Sequence, residues 1–204
     1  MFALVDKSDN SITRMLSGSQ GITLDGIQHP KAIFSLWTEA ERNAINIYTV
    51  EINNSKRKNT EWYVNTNVTY SFNGSKVTGS YGDATARAHA DTLFTAQDES
   101  DGKGTEGDVK DEGLKTKLIR SIKSQAECEL NKTDWYITRK AEKDTAIPSA
   151  VSTHRDAVRS KQAEMETAIT NASDTPALET LYTYTTQEDG STTRPLGELP
   201  TKDF

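Results

Sequence analysis

An apolar residue stands at every fourth position between residues 114 and 130, and this spacing constrains the fold of the chain more than any other feature. The residues are Leu114, Leu118, Ile122, Ala126 and Leu130. Side chains four positions apart lie on one side of an α-helix, so the spacing predicts an amphipathic helix over residues 110–130 with one buried stripe.

A second helix with a buried stripe is predicted downstream. Pro148 favours the first position of a helix, and the pattern that follows it ends near Asn171. We expect the two helices to form a hairpin in which each buries one face against the other or against a neighbouring chain. A third short helix is predicted over residues 176–184. The stripe of the second helix consists of Val151, His154, Val158, Met165 and Ile169.

The first eighty residues carry a different pattern, in which apolar and polar residues alternate as they do in half-buried strands. This pattern predicts a hairpin of two short strands, residues 2–5 and 12–16. It also predicts two longer strands, residues 47–52 and 62–72. The polar residues 53–60 between the longer strands are predicted to form an exposed hairpin loop.

Two local signals add detail to this β-rich region. Asn73-Gly74 is a tight-turn sequence, so we expect residues 76–78 to form a hairpin with the strand before it. Thr38 and Glu41 have the spacing of a capping box, which predicts that a short helix begins at Thr38.

These patterns predict the fold class α+β, with a β-rich N-terminal module (1–82), a C-terminal helical hairpin module (110–184) and an extended tail (185–204). Residues 83–109 are predicted to hold a helix, residues 84–96, and then a Gly- and Asp-rich linker. Hydrophobic residues make up only 34 % of the 204 positions, so one large core is not expected. We expect either small modules joined by polar segments or a chain that completes its burial against a partner chain. We also expect another subunit to hold the polar tail.

Composition also excludes several classes of function. Charged residues make up 26 % of the chain and the net charge is -6, which argues against duplex nucleic acid as a partner because phosphate binding needs clustered Lys and Arg. The first residues have no signal-peptide core, and no stretch approaches the roughly 20 apolar residues of a membrane span. We therefore expect a soluble protein that is made in a cytoplasm and binds no membrane.

The sequence holds no recognisable catalytic, cofactor or metal pattern. A G-x-G-x-x-G occurs at residues 102–107, but acidic residues precede it instead of an apolar strand, so the linker interpretation is preferred. The three histidines lack the spacing of metal ligands, and His154 is predicted to be a hydrogen-bonded core residue. Cys128, the single cysteine, is predicted to be a small core residue. We predict that the protein is not an enzyme and holds neither cofactor nor metal.

Two aromatic pairs are candidate interaction sites, and each has two interpretations. Trp62-Tyr63 and Trp135-Tyr136 have the composition of sugar- or base-stacking surfaces, but burial in a strand or at a helix junction explains them equally well. Arg155 and Arg159 lie one helical turn apart. They are predicted to be exposed, in a salt-bridged face or in a contact between subunits.

Residues 112–170 resemble a module found in phage tail assembly chaperone and tail-fibre-associated families. A T-D-W element follows a helix, and after a short spacer a second helix carries the pattern Y/H-R-x-A-V-R. Upstream, LWTEAERNAINIYTVEI (36–52) is similar to a short element of the same kind of protein. His154 stands where the pattern usually has an aromatic residue such as tyrosine. The matching residues are Thr133, Asp134, Trp135, His154, Arg155, Ala157, Val158 and Arg159.

The resemblance implies a structural component of a bacteriophage tail, such as an adaptor, baseplate or fibre-attachment protein. It would lie in the virion tail, contact other phage tail proteins and form a homo-oligomer. Trp135 would cover the gap between the two amphipathic helices. Two alternatives stay open, namely an assembly chaperone that is absent from the mature virion, and a tail protein that binds host-surface glycans through Trp62, Tyr63 and loop 53–60.

Overall fold

The computed structural model describes all residues, 1–204, and the chain forms two compact units, Met1–Thr85 and Ala86–Phe204. The first is built mainly from strands and the second mainly from helices, so the predicted α+β class is confirmed. The elements of the first unit are β1 (Phe2–Asp6), β2 (Ser11–Leu16), β3 (Ile22–Leu24), β4 (Ile27–His29), α1 (Ile33–Leu36), α2 (Glu39–Ala44), β5 (Ile47–Asn53), β6 (Tyr63–Val64), β7 (Thr69–Phe72) and β8 (Val77–Ser80).

A five-stranded sheet in the order β2-β1-β5-β8-β7 organises the first unit. Strand β1 runs antiparallel to both β2 and β5, while β5 and β8 are parallel. Both faces of the sheet are covered, because alternate residues of the central strands enter two different apolar clusters. One cluster contains Ala3, Val5, Tyr48, Val50, Phe72 and Val77, and the other contains Ile22, Ile33 and Ile47.

The local signals in this unit are confirmed. Thr38 caps α2, with its hydroxyl accepting from the Glu41 backbone N–H at 3.3 Å and its own N–H donating to the Glu41 carboxylate at 2.7 Å. Asn73-Gly74 turns β7 into the antiparallel β8. The predicted hairpin of β1 and β2 is also present.

Two predictions for the same unit are wrong. The expected strand over residues 62–72 is divided into β6 and β7, with no strand between them. Residues 53–60 are exposed as predicted, but they do not form a hairpin loop, because β5 pairs with β1 and β8 instead of with the strand that follows it. The division of the strand and the pairing of β5 both depend on partner strands that are distant in the sequence. The alternation of apolar and polar residues does not encode these partners.

The second unit follows the short strand β9 (Thr85–Ala86). None of its helices, nor those of the first unit, combines the length and apolar character that spanning a membrane requires. Its elements are β10 (Thr92–Leu93), α3 (Ala96–Ser100), β11 (Val109–Asp111), α4 (Leu114–Asn131), α5 (Asp134–Lys143), α6 (Ser149–Asn171), α7 (Thr175–Tyr182), β12 (Thr185–Thr186) and β13 (Thr192–Thr193).

The helix predicted for residues 84–96 is wrong, and the Gly- and Asp-rich segment after it lies within a strand pair. Residues 84–96 contain short strands, and β10 pairs with β11 so that the Gly- and Asp-rich segment becomes an ordered loop. Helix α3 begins this loop with a capping box of Thr95 and Asp98. Hydrogen bonds from Thr95 and from the Lys110 ammonium lower the pKa of Asp98 to about 2. A β-strand, not a helix, follows the G-x-G-x-x-G sequence, so it does not have the geometry of a dinucleotide site.

Helices α4 and α6 form the predicted hairpin, and they run antiparallel. Lys115 near the start of α4 donates to the Thr170 carbonyl near the end of α6 at 2.7 Å, while Glu129 near the end of α4 bonds to His154 at 3.0 Å. All five stripe residues of α6 are buried. In α4, Ile122 and Ala126 are buried and the three leucines of the stripe are half-buried.

Residues 185–204 do not form the extended tail that the sequence predicts. Strands β12 and β13 make a small hairpin, and Leu196 is buried with its N–H donating to the Leu181 carbonyl at 3.0 Å. Contacts within the chain itself therefore hold this segment, in place of the second subunit that its composition suggested.

Candidate functional site

The site is built where α4 ends and α5 begins, a break of only two residues. Thr133, the second of them, is fully buried, and its hydroxyl donates to the Leu130 carbonyl at 2.9 Å. That bond satisfies one of the carbonyls that the end of a helix leaves without a partner. The chain then turns directly into α5, a helix that the sequence analysis did not predict.

Arg155 on α6 fixes this break from the other side of the hairpin. Its side chain is buried, and its Nη1 lies 2.8 Å from the Leu130 carbonyl oxygen, 2.7 Å from Thr133 Oγ1 and 2.7 Å from Asp134 Oδ1. A buried guanidinium is tolerated only where acceptors and a counter-charge surround it. Thr133 and Asp134 of the T-D-W element and Arg155 of the Y/H-R-x-A-V-R pattern therefore form one polar cluster. This cluster sets the direction of α5.

A second polar cluster lies one residue away along both helices. The buried Glu129 carboxylate accepts from His154 Nε2 at 3.0 Å, from the Lys202 backbone N–H at 2.9 Å and from the Lys132 ammonium at 2.5 Å. Burial alone would raise the pKa of Glu129, but these hydrogen bonds outweigh it and hold that pKa below its ordinary value of 4.5. The prediction that His154 is a hydrogen-bonded core residue is confirmed.

The outer side of α5 carries what we name the Trp135 surface, which consists of Trp135, Tyr136 and Arg139. The Trp135 side chain is 52 % exposed. Its ring centroid lies 3.9 Å from that of Tyr136, and the Arg139 guanidinium lies 4.6 Å from the Trp135 ring and 5.1 Å from the Tyr136 ring. Residues three and four apart on a helix are neighbours, which is how α5 brings Arg139 over both rings.

Three predictions about this region are wrong. Trp135 does not fill the gap between the long helices, because Thr133 and Arg155 occupy the junction and the indole points outward. Arg155 is buried instead of exposed. Cys128 is exposed, because it lies on α4 outside the stripe that faces α6.

The other candidate residues from the sequence, Arg159, Trp62 and Tyr63, are not part of this site. Arg159 is exposed, as predicted, and pairs with Asp156 of its own helix at 3.4 Å. Trp62 and Tyr63 belong to the first unit and are both buried, with the Lys58 ammonium 4.2 Å from the Tyr63 ring. Their ring faces are therefore not available as a stacking surface.

Two residues of this site, Arg139 and Glu129, were not predicted from the sequence. The signal for Arg139 was present, since it lies four residues after Trp135, but it has meaning only once residues 134–143 are known to be helical. Glu129 lies next to the predicted stripe of α4, yet nothing local identifies it as buried. Its partners come from α6 and from residue 202, far away in sequence.

The exposed indole and the guanidinium of the Trp135 surface can make stacking and ionic contacts with another molecule. No three His, Cys, Asp or Glu side chains come together in a way that would hold a metal ion. No family model matches the chain, and no curated protein or solved structure is significantly similar to it.

Proposed function

We propose that the chain is a non-enzymatic structural component of a bacteriophage tail that acts through protein–protein contacts. The resemblance of residues 112–170 to tail-associated modules is the origin of this proposal. One structural observation carries it further, namely that Arg155 bonds to Thr133 and Asp134 and leaves Trp135 facing outward. The T-D-W element and the Y/H-R-x-A-V-R pattern then act together to position an exposed aromatic side chain.

The β-rich unit has a different place in this proposal. Its sheet buries one apolar cluster on each face and leaves Ile52 and Tyr70 exposed near one end. We propose that it attaches the protein to the particle or to a fibre while the helical unit contacts neighbouring tail proteins, including further copies of this chain.

Mass spectrometry of purified virions tests the proposal. Virions of the phage that encodes this chain should contain its peptides at a fixed ratio to other tail proteins, after separation from unassembled protein on a density gradient. Complete absence of the peptides from infectious particles would refute a structural role.

The assembly chaperone is the second candidate, and one observation keeps it in consideration. Residues 185–204 make contacts within the chain, through Leu196 and Lys202, so they do not favour a subunit of the finished particle over a free chaperone. A chaperone would be found in infected-cell lysates bound to an unassembled tail or fibre protein and would be missing from virions. The glycan-binding alternative is not carried forward, because it required the faces of Trp62 and Tyr63.

A further inference from the structure

We propose that the Trp135 surface binds a segment of another protein that presents a carboxylate beside an apolar or aromatic side chain. The inference rests on the proposed function, since the partner is taken to be another tail protein. It adds the site of contact and the chemistry of the partner.

The exposed rings supply the first reason. An indole that is 52 % exposed keeps a large apolar area in water. Burying such area is favourable by about 25 cal/mol per Å². Tryptophan, tyrosine and arginine are the residue types most enriched among those that dominate binding energy at protein interfaces, and all three are adjacent here.

The charge of Arg139 supplies the second reason and identifies the partner's chemistry. Its guanidinium lies over the Trp135 and Tyr136 rings and forms no ion pair within the chain. The carboxylates at the two ends of α5 are already paired, Asp134 with Arg155 at 2.7 Å and Asp144 with Lys140 at 2.5 Å.

Arg139, Glu142 and Lys143 form no ion pair within the chain, so α5 keeps a net positive charge, and Arg139 is the positive group that lies beside the exposed rings. A guanidinium stacked on aromatic rings is well placed to bind a carboxylate through its outer N–H groups.

The rigidity of the surface supplies the third reason. Arg155 bonds Asp134, the first residue of α5, and the indole contacts both Tyr136 and Arg139. A surface that is ordered before binding avoids much of the entropy cost of fixing side chains at an interface. This favours a dedicated contact over an incidental exposure of the ring.

Fluorescence anisotropy with the purified full-length chain tests the inference. The probe is a fluorescein-labelled random copolymer of glutamate and tyrosine, and the comparison probes are a lysine–tyrosine copolymer and polyglutamate. The variants are Trp135→Ala and Arg139→Gln, with Arg159→Gln as the matched control because Arg159 is exposed on α6. Circular dichroism spectra of all variants should match the wild type, since neither Trp135 nor Arg139 is buried in the core.

We expect the glutamate–tyrosine copolymer to bind the wild type more tightly than either comparison probe does. Trp135→Ala and Arg139→Gln should each weaken binding about tenfold or more, and Arg159→Gln should leave it unchanged. Equal binding by all variants, preference for the lysine copolymer, or no binding by the wild type would overturn the inference. Binding of a neutral oligosaccharide that depends on Trp135, without binding of the copolymer, would identify a glycan surface instead and overturn it too.

The outcome is separable from the proposed function because this experiment uses isolated protein. Copolymer binding that depends on Trp135 and Arg139, in a chain that virions lack, would remove the structural role and keep the surface. A chain that virions contain but that fails the anisotropy test would keep the structural role and remove the surface.

Discussion

The Arg155 guanidinium bonds the hydroxyl of Thr133 at 2.7 Å, and this bond joins the middle of one long helix to the break that ends the other. Thr133 is fully buried, and its hydroxyl in turn donates to the Leu130 carbonyl. The start of α5, and with it the outward direction of Trp135, depends on a single buried cation.

Arg155→Ala should therefore destabilise the protein strongly. The substitution removes the donor to the buried Thr133 hydroxyl and the counter-charge of Asp134, and it opens a gap beside them. We expect a loss of about 2–4 kcal/mol in the free energy of unfolding, measured by urea denaturation. Arg159→Ala, which removes an exposed arginine from the same helix, should cost less than about 0.5 kcal/mol. Similar losses for the two variants would mean that Arg155 does not hold the junction.

The core of the hairpin makes a second prediction. Ile122 is 1 % exposed at the interface of α4 and α6, so Ile122→Ala should cost about 2–5 kcal/mol through lost burial and a new cavity. Ile137→Ala makes the same chemical change at an exposed position of α5 and should cost less than about 1 kcal/mol. Thermal unfolding of both variants checks the difference, and equal shifts in melting temperature would contradict the packing of α4 on α6.

A third prediction concerns pH and the buried Glu129 carboxylate. Its pKa is lowered in the folded state, so the unfolded chain binds the proton more readily and the stabilisation is present above the ordinary value of 4.5. The folded state should lose this contribution as the pH falls through the lowered pKa. Urea unfolding at a series of acidic pH values should show the loss for the wild type.

Glu129→Gln is the control for that experiment. It keeps an acceptor for the Lys202 N–H and for His154 but removes the ionisable group. The variant should be less stable than the wild type at neutral pH, and the difference between them should shrink as the pH falls. A difference that stays constant across the acidic range would show that the charge of Glu129 contributes nothing.

Sequence patterns predicted the elements whose cause is local. The four-residue spacing of α4, the stripe of α6, the capping box at Thr38 and the Asn73-Gly74 turn all describe residues close together in the chain. Helix α5 was not predicted because residues 134–143 carry no apolar stripe. The burial of Arg155 was not predicted because its hydrogen-bond acceptors lie more than twenty positions earlier in the chain. These acceptors are Leu130, Thr133 and Asp134.

Strand pairing failed for a related reason. Alternation marked β5 as a strand, yet it could not show that the partner of β5 is β8 instead of the next strand along the chain. The orientation of Trp135 likewise depends on contacts between residues that are distant in the sequence. Trp135 was recognised as a candidate, but whether it fills the junction or faces outward depends on Thr133 and Arg155 occupying that junction first.

The measurement that tests the central claim most directly is quantitative mass spectrometry of virions assembled with wild-type chain or with the Trp135→Ala variant. The account predicts that wild-type chain is present at a fixed ratio to the other tail proteins, and that the variant is depleted about tenfold although it folds normally. Equal incorporation of the two, or absence of the wild-type chain from purified virions, would contradict it.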